Sequence, residues 1–186
     1  MRSPELLGRS SSRLVIVDMQ EKLLPLIAGN EPVIENCVRL LKAAGILQIP
    51  VSATEQYPKG LGATVPVIRS LLPEEVPEKL RFSSAEALDW VQADRTPEDR
   101  LQVVVAGIEA HVCMMQTVFD LLAAGFDVFV PADATSSRND SDRDIALQRM
   151  RDGGAHIVTT EMVLFEWAEV AGTDEFKQIS RLVTGR

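Results

Sequence analysis

Short unbroken apolar runs alternate along this chain with longer stretches whose apolar residues recur every three or four positions. Residues 14–17, 49–54, 76–84, 101–106, 126–131 and 155–159 read as six short strands. Residues 31–47, 65–72, 85–91, 112–122, 142–151, 161–169 and 174–182 read as helices between and after them. In the first helix Val33, Ile34, Cys37, Leu40, Leu41 and Ala44 fall on one face. In the fourth, Val112, Met115, Val118, Phe119 and Leu122 keep helical spacing up to Gly125. Ser83 or Ser84 is a candidate cap for the third helix, Gly153-Gly154 ends the fifth, and Thr173 is placed to cap the last.

Runs such as Leu14 to Val17 lack the in-out alternation of a half-exposed strand, which is the pattern of parallel strands buried on both faces. Strands alternating with helices predict an α/β fold, with helices covering both faces of a parallel sheet. The 186 residues suit one domain. Residues 1–12, polar and broken by Pro4 and Gly8, are expected to be a flexible lead-in to a single domain over 13–186. DATSSRND, after the fifth strand, reads as a polar loop, and EQYPKGLGATVP, after the second, as a loop able to fold over a site.

Such sheets bind ligands beyond the carboxyl ends of their strands. Asp18 ends the first strand, Lys79 lies near the end of the third, and Cys113 follows the fourth at the start of its helix. Each has a bland alternative: a capping aspartate, a solvated edge lysine, a buried thiol. Together on three strand ends they form a candidate acid, base and nucleophile. A helix start is expected to lower the pKa of Cys113 toward the thiolate. Cys37, inside an apolar stripe, is expected to be core.

Composition narrows the partners. A net charge of −8 offers no basic patch for nucleic acid. No apolar run reaches the length of a membrane span, and the first residues lack a signal-peptide core. Two cysteines make no disulfide framework, so a cytoplasmic location is expected.

VIVDMQ, EKLRFS and GIEAHVC, in that order and followed by an amphipathic helix, resemble the isochorismatase-like cysteine hydrolase superfamily. TEQYPKGLG, residues 54–62, is similar to a loop of its isochorismatase domain-containing members. The resemblance implies a three-layer Rossmann-like domain whose six-stranded parallel sheet has the order 3-2-1-4-5-6. It also implies an Asp18–Lys79–Cys113 triad and a cis peptide at Ile108–Glu109, with the backbone N–H groups of Glu109 and Cys113 as oxyanion hole. Two departures matter. Ala110 stands where many relatives have threonine, and the loop after the second strand contains no histidine. The zinc cluster of the nicotinamidase branch is therefore not expected, and no metal or cofactor is assigned. The presence of Cys113 argues against the vinyl-ether hydrolysis of true isochorismatases, which often lack it.

The function expected is hydrolysis of a C–N bond, of amide or carbamate type, in a small molecule through a thioester on Cys113. Gln20, Gln56, Tyr57, Phe82 and His111 are candidates for the substrate pocket, His111 as lining or cap rather than base. Glu109 is open to a place in the pocket or in an internal salt bridge, and His156 is expected to be structural. A homo-oligomer is expected, from the family resemblance and from Phe165, Trp167 and Phe176 near the end of the chain, with a core role for these aromatics as the equal alternative. The competing classes are a scaffold retaining the fold and a thiol redox or thioester enzyme.

Overall fold

The computed structural model describes residues 2–90 and 100–185; the polar stretch ADRTPEDR, residues 93–100 of the sequence, lies outside them but for Arg100, as does Val91 of the expected third helix. The strands are β1 (Ser12–Val17), β2 (Val51–Gln56), β3 (Glu78–Lys79), β4 (Gln102–Ile108), β5 (Asp127–Pro131), β6 (Thr135–Ser136) and β7 (His156–Val158). The helices are α1 (Asn30–Leu47), α2 (Pro58–Leu61), α3 (Pro66–Arg69), α4 (Met115–Ala123), α5 (Asp140–Asp152), α6 (Thr160–Ala168) and α7 (Asp174–Thr184).

All strand pairings within the sheet are parallel, in the order β3-β2-β1-β4-β5-β7. This is the expected path 3-2-1-4-5-6, with β7 in sixth place. The short β6, absent from the sequence reading, pairs with the end of β4 (Gly107 with Thr135, Ile108 with Ser136). It takes over where β5, which pairs only as far as Val104, has diverged.

Burial follows the period of two. Leu14 and Ile16 of β1 and Val104, Ala106 and Ile108 of β4 face one core with Leu40 of α1, Leu164 and Trp167 of α6 and Ile179 of α7. Val15, Val17, Val103 and Val105 face the other, with Val118 and Leu121 of α4 and Ala146 and Met150 of α5. The central strands are thus covered on both sides, which is why their sequences carry no polar alternation. Each fully buried aliphatic side chain contributes about 1.5–3 kcal/mol, so this double burial is the main term holding the layers together.

Three sequence expectations change. The third strand shrinks from 76–84 to two residues, because Lys79 turns its ammonium back onto the carbonyls of Arg81 and Phe82 and the chain leaves the sheet. The expected helix 85–91 is a run of irregular turns over its described part, with Leu88 N–H donating to Ser84 O and Trp90 N–H to Ala85 O. Asp89 there has φ +58°, which interrupts any regular right-handed helix. The helix expected over 65–72 is only the single turn α3.

Part of the segment read as a lead-in is packed against the body. Leu7 is fully buried and its N–H donates to Glu166, while Arg2 pairs with Glu169 at 3.0 Å. Thr173 caps α7 as expected, accepting from Phe176 N–H.

Candidate active site

The strand order places β2, β1 and β4 side by side, with β3 beyond β2, so the polar residues at their carboxyl ends converge. Asp18 follows β1 with φ +52°, a left-handed conformation that aspartate tolerates better than most residues. At the end of β4, Gly107 has φ +125°, and a Cβ there would overlap the Val17 carbonyl oxygen of β1. Only glycine lets β4 approach β1 this closely at the point where the chain turns into the site.

The Ile108–Glu109 peptide is cis. The chain then enters a π-helical turn, Ala110–Met114, before α4 begins. Cys113 thus lies in a wide turn ahead of the α-helix, not in its first turn as its sequence suggests. Wide turns of this kind are frequent at functional sites.

Lys79 and Asp18 form an ion pair, Nζ to Oδ2 2.7 Å, with side chains 3% and 0% exposed. The same ammonium donates to Gln56 Oε1 at 2.8 Å and to Phe82 O at 2.8 Å. Three close acceptors thus surround the ammonium, matching its three protons. Thr54 donates to the other carboxylate oxygen of Asp18, at 2.9 Å. Cys113 Sγ lies 4.0 Å from Gln56 Oε1, so this one amide oxygen faces both the lysine and the thiol.

Burial raises the Asp18 carboxyl above its ordinary value; the Lys79 ammonium opposes this most, followed by hydrogen bonds from Lys79, Cys113 and Thr54. Burial also pushes the Cys113 thiol up, and the Asp18 charge adds to it, with Lys79 pulling the other way. This runs against the expected thiolate: desolvation and a neighbouring carboxylate outweigh the start of the helix and favour the neutral thiol. Cys37 is fully buried in the first core and its thiol is pushed up to about 12, chiefly by burial.

The candidate pocket residues divide. Gln56 belongs to the cluster. Gln20 is fully buried, its carboxamide accepting from Gln56 N–H and donating to the carbonyls of Gln56 and Gly62. It therefore pins β2 and the loop after it, with no amide donor left for a ligand. Tyr57 lines a cleft of about 330 Å³ with Pro58, Lys59, Glu78, Lys79 and Leu80. Phe82 is brought to the cluster by its carbonyl, while its ring is half exposed. His111 points elsewhere, its Nδ1 2.9 Å from Ser137 Oγ. Glu109, left open between pocket and salt bridge, pairs with Arg138 at 2.9 Å. His156 stacks on Phe129 with ring centroids 4.5 Å apart.

The sequence reading missed Thr54, whose hydroxyl is buried against Asp18. Threonine is common in strands, and nothing in its spacing marks it as polar machinery. Among the described residues no group of three or more His, Cys, Asp or Glu side chains is arranged to hold a metal ion, and no helix is long and apolar enough to cross a membrane.

A doubly wound parallel sheet with an acid, a lysine and a thiol gathered at its strand ends defines the class. Within that class the chain belongs to the isochorismatase domain family, whose match covers residues 12–162. It is 41% identical over 181 residues to isochorismatase domain-containing protein 2 of Danio rerio, spanning 95% of this chain and 90% of that one. The protein of the same name from Homo sapiens is also 41% identical, over 182 residues, 95% of this chain and 86% of its own. Among solved structures, the MAR1 ribonuclease of Caenorhabditis elegans superposes with a TM-score of 0.84 at 37% identity, covering 96% of this chain and 92% of that chain.

Proposed function

We propose that the protein is a cysteine hydrolase that cleaves an amide- or carbamate-type C–N bond of a small molecule through a thioester on Cys113. The observation that carries this reading is the buried Lys79–Asp18 pair of 2.7 Å set beside a nearly buried thiol on a neighbouring strand end. A neutral thiol next to a carboxylate is arranged for proton transfer during attack.

Asp18 takes the S–H proton as the sulfur bonds to the substrate carbonyl carbon. The negative charge that develops on the carbonyl oxygen is received by the backbone N–H groups of Glu109 and Cys113, and each such donor is typically worth about 2.7–4 kcal/mol. The C–N bond then breaks, and the leaving nitrogen takes the proton from Asp18. Water, deprotonated by Asp18, attacks the thioester; the C–S bond breaks and the proton returns to sulfur. Lys79 holds Asp18 and balances its charge throughout.

Other readings find less support. A redox thiol is usually exposed and of low pKa, whereas Cys113 is 5% exposed and its thiol is raised. The name of the worm relative points to RNA, but a chain of net charge −8 is poorly suited to a polyanion. A bare scaffold has no need of a buried ion pair beside a thiol, since such pairs are weak contributors to stability. Free thiols suit a reducing compartment such as the cytoplasm.

The test is a panel of small amides, carbamates and esters offered to the wild type and to Cys113→Ser. The account expects turnover of at least one amide or carbamate, reduced about a hundredfold or more in the variant. Equal turnover by both proteins, or none by the wild type on any compound, contradicts it.

A further inference from the structure

Three buried hydroxyls join the candidate acid to the turn that carries the thiol. Thr54 Oγ1 is 2.9 Å from Asp18 Oδ1 and 2.9 Å from Ser84 Oγ. Ser84 N–H donates to Thr117 Oγ1 at 2.8 Å, and Thr117 Oγ1 donates to Cys113 O at 2.7 Å. Thr54 is 1% exposed and Ser84 and Thr117 are fully buried. The three come from β2, the turn after β3 and α4, so the chain of contacts crosses the site from one side to the other.

The direction of every hydrogen is fixed. The single hydroxyl proton of Thr54 goes to the carboxylate, so Ser84 must donate to Thr54. Thr117 gives its proton to a carbonyl, which only accepts, and so is free to accept from Ser84 N–H. The order works only if Asp18 Oδ1 accepts. A proton on that oxygen would turn Thr54 toward Ser84 and leave the Ser84 hydroxyl with no acceptor among the described residues. The other oxygen faces the Lys79 ammonium, which already donates to it. A stranded buried hydroxyl is costly, so the arrangement disfavours protonated Asp18.

We propose that Thr54, Ser84 and Thr117 are positioning residues, a hydroxyl relay that keeps Asp18 a proton acceptor and ties it to the turn holding Cys113. The inference rests on the triad reading above and adds to it residues that touch neither the substrate nor the reacting sulfur. Thr54 and Ser84 act on the proton affinity of Asp18. Thr117 acts on the placement of Cys113.

The test reads the pH dependence of Cys113 alkylation by iodoacetamide, followed by mass spectrometry of the Cys113 peptide in the full-length protein, with no substrate needed. Sulfur and carboxylate share one proton, so the acid limb reports the pair. Thr54→Val keeps the shape and removes the donor to the charged form; its midpoint should rise by about one to two pH units. Ser84→Ala, which keeps the backbone donor to Thr117, should shift the midpoint the same way by less, and Thr54→Ser should restore it. Thr117→Val should lower the rate at every pH without moving the midpoint. Circular dichroism establishes that each variant is folded, and Ser84→Ala and Thr54→Ser, the smallest changes, carry the test if a valine variant unfolds.

A titrating wild type that loses its acid limb in Asp18→Asn, with midpoints unmoved in folded Thr54→Val or Ser84→Ala, overturns the relay and leaves the triad standing. An Asp18→Asn protein that alkylates like the wild type at every pH, or a wild type whose Cys113 does not react, overturns the triad reading and the relay with it.

Discussion

Lys79 Nζ sits 2.7 Å from Asp18 Oδ2 in a pair almost wholly withdrawn from water. Losing one member of such a pair leaves the other charge buried without a counter-ion, at a cost of about 3–5 kcal/mol. Lys79→Met should therefore lose both turnover and stability, unlike a surface lysine, whose removal changes stability by about 0.5 kcal/mol or less. Without the ammonium, the already raised Asp18 rises further. A raised acid stabilises the fold below its unfolded pKa, and that contribution is lost as pH rises through the folded value. The deficit of Lys79→Met measured by urea unfolding should thus be smallest in acid and grow toward neutral pH. A deficit independent of pH would show that Asp18 does not feel the lysine.

Cys113 should react with iodoacetamide in the native protein while Cys37, fully buried, does not. Because burial and Asp18 raise the Cys113 thiol, its alkylation should show no inflection near the ordinary thiol value of 9.0. Peptide mapping after labelling between pH 5 and 10 checks both points. Preferential labelling of Cys37 would count against the site.

Most of the fold was legible because the central strands announce themselves: an apolar run buried on both faces looks the same whatever surrounds it. That Asp18, Lys79 and Cys113 come near one another was legible because Asp18 directly follows β1, Lys79 ends the short edge strand β3, and Cys113 lies in the turn after β4. What escaped depends on contacts far apart in sequence. β3 is cut short by the carbonyls that Lys79 captures, and β6 forms only because the end of β4 needs a partner once β5 diverges. The raised thiol of Cys113 follows first from its burial and then from a carboxylate 95 positions earlier in the chain, neither of which a local helix-start argument contains. Trp167, read equally as self-association surface or as core, is core: it is fully buried, because α6 turns it inward.

Gly107→Ala tests the geometry at the end of β4. Its φ of +125° and the contact of any Cβ with the Val17 carbonyl leave no room for a side chain. The substitution should destabilise the protein by about 3 kcal/mol or more and abolish turnover in whatever fraction still folds. A variant with wild-type melting and activity would mean that β4 does not meet β1 as described.

Chelation should leave turnover unchanged. The loop after β2 contains no histidine, and Glu55 near the end of β2 is engaged by the backbone N–H and hydroxyl of Thr64, both at 2.7 Å. Activity lost in EDTA and restored by zinc would contradict this.

Self-association is expected from apolar side chains left in water near the cleft: Leu80 is 76% exposed, Tyr57 51% and Phe82 49%. Light scattering at micromolar concentration should give at least twice the chain mass of 20.4 kDa. A value at the chain mass removes the expectation.

The most direct test of the triad is a set of mutant cycles on whichever substrate the panel yields. kcat/KM is measured for Asp18→Asn, Lys79→Met and Cys113→Ala, and for each of the first two combined with Cys113→Ala. Residues that act as a unit are strongly non-additive. The account predicts that each single change removes most turnover and that each double loses little more than Cys113→Ala alone. Losses that simply multiply would mean that Asp18 and Lys79 act independently of Cys113, and would contradict it.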